Sequence, residues 1–131
     1  MPLHAAIRAG AWGATLSGLP STLYALATGR DPLEATKAAG SMLLPRERRT
    51  LPLVAAAIPV HLTLSFGWAF VLEQAGRPGL ARGAAAGLAI AALDLGLVGP
   101  RFARVRALPL GPQIVDHLAY GAIVGFALPR G

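Results

Sequence analysis

The chain has 131 residues, of which 12 are Lys or Arg and 6 are Asp or Glu, so only 14% are charged, against about 25% in soluble domains. That is too little charge to coat a water-facing surface. With 54% hydrophobic residues and a mean hydropathy of +0.55, the composition excludes a disordered chain and, despite a net charge of +6, a soluble nucleic-acid binder. The absence of cysteine removes disulfide scaffolds, thiolate metal sites, iron–sulfur clusters and cysteine nucleophiles. Heavy use of Ala, Gly, Leu and Arg fits a GC-rich bacterial genome, and the class this predicts is an integral protein of the bacterial inner membrane.

A helix that crosses a bilayer needs about 20 mostly apolar residues, because the hydrocarbon is about 30 Å thick and each residue rises 1.5 Å. Four stretches meet that need, over residues 8–28, 51–74, 80–99 and 110–129. The predicted fold is therefore all-α, a four-helix transmembrane bundle forming one membrane domain over residues 1–131. The first stretch carries Ala25-Leu26-Ala27, a small-residue cleavage pattern. Its poorly charged start and long apolar run favour an uncleaved span over a signal peptide.

Between the first two spans, Asp31-Pro32-Leu33-Glu34 reads as a helix start: an Asp cap, Pro at the first position, and Glu three residues on to close a capping box. A short surface helix is expected from Pro32 towards Leu44. Arg46, Arg48 and Arg49 then lie at the level of anionic lipid headgroups, where each cation adds about 1 kcal/mol of attraction. Their plainer role is to set topology. The connections after spans one and three carry Arg30, Lys37, Arg46, Arg48, Arg49, Arg101, Arg104 and Arg106, whereas the opposite side has only Arg8, Arg77, Arg82 and Arg130. This excess puts the first and third connections in the cytoplasm and both termini in the periplasm.

Two segments match at an offset of 56, Pro59 to Ser65 in span two and Val115 to Gly121 in span four, each with one histidine. Arg8 and Gly13 correspond to Arg82 and Gly87 at an offset of 74. The pattern suggests two related helical hairpins of the same orientation, the first interrupted by the surface helix, with a pseudo-twofold axis along the membrane normal.

Small residues recur every fourth position in span one, at Ala5, Ala9, Gly13, Ser17, Ser21, Ala25 and Gly29, and in span three at Gly79, Gly83, Gly87 and Ala91. Span four continues the pattern with Gln113, His117, Gly121 and Gly125, and span two with Ala57, His61, Ser65 and Ala69. Such stripes let backbones approach closely, which in lipid replaces the hydrophobic drive of water. They designate Gly13, Ser17, Gly83, Gly87, Gly121 and Gly125 as packing positions and turn His61 and His117 toward neighbouring helices. Asp94, seven residues after Gly87, returns to within about 20° of the same face. With Asp116 beside His117, these four form an inward polar cluster roughly 10–15 Å below the cytoplasmic surface. Pro20 and Pro59 free the carbonyls of Leu16 and Ala55 and are placed to bend their helices. Trp12, Trp68 and Tyr24 read as interfacial or packing aromatics.

The stretch Asp116-His117-Leu118-Ala119-Tyr120-Gly121-Ala122-Ile123-Val124-Gly125 resembles the last-helix motif, HLxYG followed by a further glycine, of uncharacterised small bacterial integral membrane proteins. The resemblance implies a multi-span inner-membrane protein and transfers no catalytic residue. The chain has no HExxH, no G-x-S-x-G and no P-loop. The expected function is accordingly non-enzymatic, an assembly of helices about the His/Asp cluster as a homo-oligomer or within a larger membrane complex, with no cofactor. Two other readings compete: an oligomeric proton- or ion-coupled transporter, in which the titrating histidines relay protons, and a haem b protein with His61 and His117 as axial ligands.

Overall fold

The computed structural model describes residues 2–130, and among these every regular element is helical. In chain order these are α1 (Pro2–Leu16), α2 (Leu19–Ala27), α3 (Glu34–Ser41), α4 (Thr50–Gln74), α5 (Gly79–Leu93), α6 (Ala103–Arg106) and α7 (Leu110–Ala127). After α5 the chain continues as a π-helical turn over Asp94–Val98 and a 3₁₀ turn over Gly99–Arg101. Two helices are long and apolar enough to cross a membrane, Thr50–Gln74 and Gly79–Arg101.

The first apolar stretch departs from the expected single span. It begins at Pro2, which places Arg8 inside a helix, and it breaks at Ser17–Gly18 into α1 and α2. The cause is local. Gly18 caps α2, and Pro20 stands in its first turn, where a missing amide costs nothing to the helix that follows but ends the one that precedes. Pro59 acts differently: α4 runs through it unbroken. The surface helix is also shorter than expected. Asp31 does not cap it by the predicted box; its carboxylate accepts the amide of Leu33 at 2.9 Å and pairs with Lys37, while Glu34 pairs with Arg30 at 2.9 Å.

Packing follows the small-residue stripes. Ala5, Ala9, Gly13, Ser17, Ser21 and Ala25 are all buried along α1 and α2, as are Gly83, Gly87 and Ala91 on α5 and Gly121 and Gly125 on α7, whereas Gly29 at the end of the span-one stripe is exposed and Gly79 at the start of the span-three stripe is half-buried. The tightest seam joins α5 to α7. A Cβ at Gly121 would stand 2.0 Å from the carbonyl oxygen of Gly83, and one at Gly87 would stand 2.2 Å from that of His117. Only glycine permits backbones to meet at that separation, and its Cα hydrogens then contact the opposing carbonyls. On α1, Gly13 takes the ring of Tyr120, and Gly10 takes Phe66 of α4. At the end away from the long loop, Ala5, Ala9, Ala69, Leu72, Ile90, Val124 and Leu128 close a common core.

The helices thus pack in the order α4, α1, α7, α5, with α3 laid across the start of α4, where Gly40 sits against the backbone of Leu53. Although α4 and α5 are joined by a tight turn through Gly76 (φ 100°), Arg77 (φ 55°) and Gly79 (φ 73°), they barely touch. A twofold relation between two hairpins would require α4 to pack on α5 as α1 packs on α7. It does not, so the arrangement lacks that symmetry and one flank is left open.

The segment before α4 is organised by Glu47. Its carboxylate accepts the amides of Arg48 and Arg49 at 2.8 Å and pairs with the Arg49 guanidinium at 2.9 Å. The Arg49 guanidinium, with those amides, holds the Glu47 carboxyl down at about 2, below its ordinary 4.5.

Two outcomes are expected. Gly121→Ala should lower the thermal stability of the purified protein by about 1–3 kcal/mol through overpacking, whereas Gly67→Ala, with nothing within 4 Å of the added carbon, should be neutral or stabilising. Because the depressed Glu47 carboxyl contributes stability above its ordinary value and loses it as pH falls through the folded one, Glu47→Gln should be less stable than the parent at pH 7. Melting curves of the two proteins should converge as pH falls from about 4.5 towards 2.

Candidate functional site

The break in the first rod exposes backbone. The last carbonyls of α1 and the first amides of α2 have no partner within their own helices, and both sets lie about midway along a bundle of apolar rods. Two side chains from other helices satisfy them. His61, eleven residues into α4, meets the carbonyl of Ala14 with Nε2 at 2.7 Å; because a carbonyl only accepts, that nitrogen carries the hydrogen. Asp116 on α7 accepts the amide of Ser21 with Oδ1 at 2.8 Å, capping α2 from 95 residues away.

One helical turn of α7 holds the remaining members. His117 Nδ1 lies 2.7 Å from the Gln113 carbonyl, and its Nε2 lies 3.2 Å from Asp94 Oδ2. The first contact fixes a hydrogen on Nδ1. The second then joins a ring nitrogen to a carboxylate oxygen, and one proton must stand between them, on either atom, for the contact to be a hydrogen bond. The Asp94–His117 pair is thus a neutral unit that stores one proton. Asp94 is also the residue at which the helix widens into its π turn, a distortion often found where a side chain is re-aimed for function. Tyr120, one turn beyond His117, donates its hydroxyl to the Ser65 carbonyl of α4.

These groups line a single cavity of about 430 Å³, within the range of about 300–1,000 Å³ usual for small-ligand sites. His61, Ser65 and Trp68 come from α4, Ile90 and Asp94 from α5, Gln113, Asp116, His117 and Tyr120 from α7, and Ser17, Gly18 and Ser21 from the break. Ala35, Thr36 and Ala39 of α3 close the end nearest the long loop. From the ends of their helices the four titratable residues lie about 9–16 Å deep at 1.5 Å per residue. They share one cavity and one half of the structure, the positions the sequence assigns to the inward cluster. His61 differs in one respect: it remains exposed.

Other designated residues lie elsewhere. Ser17 is buried and lines the cavity, whereas Gly13, Gly83, Gly87, Gly121 and Gly125 serve the helix seams. Arg46, Arg48 and Arg49 are exposed outside the cavity, and Arg49 is engaged by Glu47. For haem, both candidate Nε2 atoms are already held by protein groups, so ligation there needs two hydrogen bonds to be given up. Among the described residues no three His, Asp or Glu side chains come together closely enough to ligate a metal ion.

Sequence reasoning missed Tyr120, Trp68 and the helix break as parts of the site. Tyr120 carried a usable signal, since a phenol buried next to the Gly121/Gly125 pair needs an acceptor on a facing helix. It also missed Glu73, which is buried at the end of α4 and pairs with Arg77 at 2.9 Å, outside the cavity.

The capping contact is open to measurement. Asp116→Ala should cost about 0.5–2 kcal/mol, as other lost N-caps do, and should speed hydrogen exchange in the peptide containing Ser21. Asp116→Asn, which keeps an acceptor, should leave that exchange close to the parent rate. No protein family, curated protein or solved structure matches the chain.

Proposed function

We propose that this is a polytopic protein of the bacterial inner membrane, made of four membrane-crossing rods, that acts without catalysis as a binding bundle whose His/Asp network assembles the rods around a polar cavity. The observation that carries this reading is the convergence of four cross-helix contacts on one cavity: His61 to Ala14, Asp116 to Ser21, His117 to Asp94, and Tyr120 to Ser65. Each ties one rod to another, and each satisfies polar groups that would be costly in hydrocarbon.

Placement in lipid is supported by the outer surface. Leu23, Leu26, Leu51, Leu97 and Phe126 are each about 60% exposed or more, far more apolar surface than a soluble monomer leaves in water. In a bilayer the same side chains meet acyl chains. The Lys/Arg excess on the α2–α4 and α5–α7 connections puts α3, α6 and the cavity's near end at the cytoplasmic face, with the termini outside. A self-assembled form would cover the open flank.

The cavity itself favours a second reading, proton- or ion-coupled transport, since a pair that stores one proton inside a membrane bundle is a relay component. Flux of a solute or ion into reconstituted vesicles, above that of empty liposomes, would select it over static assembly.

The native chain has no cysteine, so single cysteines report sidedness without background. In intact cells a membrane-impermeant maleimide should label Ala75→Cys, in the α4–α5 turn, and should label Arg48→Cys only after the inner membrane is opened. Equal labelling of both positions, or recovery of the chain in the aqueous fraction without detergent, would refute the four-span reading.

A further inference from the structure

The lining of the cavity states what it would hold. Asp94 uses one carboxylate oxygen on His117 and Asp116 uses one on Ser21, and the second oxygen of each has no hydrogen-bond partner among the described residues. No Lys or Arg lines the space. Two acceptor oxygens with no fixed cation are complementary to a positive ligand. Trp68 and Tyr120 add aromatic rings that attract a cation through their faces, and Leu19, Leu64 and Ile90 add apolar walls. That mixture suits an organic cation with apolar groups better than a bare metal ion, for which the His, Asp and Glu side chains do not converge.

Resting on the reading above of a membrane bundle around a cavity, we propose that the cavity binds a monovalent organic cation bearing apolar groups and takes it up in exchange for the one proton shared by Asp94 and His117. The exchange balances. The cation enters, the shared proton leaves, His117 keeps its Nδ1 hydrogen on the Gln113 carbonyl, and Asp94 remains as a carboxylate facing the ligand. The charge of the site is the same before and after. The other titratable groups facing the pair are Asp116 and Tyr120 on α7 and His61 on α4. The break between α1 and α2 contributes Ser17, Ser21 and Thr22, and α3 contributes Thr36, none of which titrates. His61 both lines the cavity and is exposed at the outer surface, which gives a ligand with apolar groups a way in.

The test is calorimetric titration of the detergent-purified full chain with benzyltrimethylammonium and with 2-methyl-1-phenyl-2-propanol, its uncharged near-isostere, in two buffers of different ionisation enthalpy. The cation should bind at least about tenfold more tightly than the alcohol. Its affinity should rise about tenfold per pH unit while the pair retains its proton, with about one proton released per cation bound. Asp94→Asn should weaken the cation at least about tenfold and abolish proton release. If that variant does not fold, the proton count of the parent decides alone. Binding of the cation without proton release, or equal binding of the alcohol, overturns the exchange. No binding of either compound by a chain that shows the four-span labelling pattern overturns this inference alone, whereas loss of that pattern overturns the reading beneath it.

Discussion

The backbone contact between α5 and α7 fixes more of this structure than any other interaction. Gly83 and Gly87 meet Gly121, Gly125 and the His117 carbonyl at separations that exclude a single added carbon. Once those glycines are engaged, the two helices cannot slide or rotate against each other, and the rest of the register follows. Asp94, two turns beyond Gly87, is delivered beside His117. Tyr120, one residue before Gly121, is turned outward from the seam so that its ring covers Gly13 and its hydroxyl reaches α4. The cavity is the space this register leaves between the α5–α7 unit and the α1–α4 unit.

The contrast between the two sides of that space is energetic. On the membrane reading proposed above, there is no hydrophobic drive between apolar rods, so helices associate where backbones come close or where polar groups pair. The α5–α7 seam has both. The α4–α5 flank has neither: the two helices barely touch, and the polar groups of α4 that line the cavity pair with α1 and α7. One seam is tight and the other open, and the duplication suggested by the two histidines does not extend to symmetric packing.

Most of the secondary structure was legible because apolar runs of about twenty residues admit little besides a helix, and the middle of the small-residue stripes was legible as a packing face because small side chains at that spacing let backbones approach, although their ends at Gly29 and Gly79 are not buried. That His61, Asp94, Asp116 and His117 line one cavity follows from face and depth, whereas the exposure of His61 does not. What could not be read were consequences of backbone hydrogen bonding. Pro20 and Pro59 look alike in sequence, yet one ends a helix and the other does not, because Gly18 stands beside the first to cap the new helix and nothing comparable precedes the second. Asp31 and Glu34 fit a capping box, but nearby Arg30 and Lys37 compete for the same carboxylates and take them. The role of Tyr120 depends on which helix lies opposite, which is a tertiary fact.

The interrupted first rod has a lasting implication for how the interior acquires its polarity. Where α1 ends and α2 begins, the main chain presents carbonyls and amides side by side at one depth, a partial negative end and a partial positive end of two helix dipoles. An unbroken helix would keep those groups bonded along its own axis. The solvation of the interior is thus partly written into the peptide bond itself, so replacement of any one side chain around it can reshape the polar environment without erasing it.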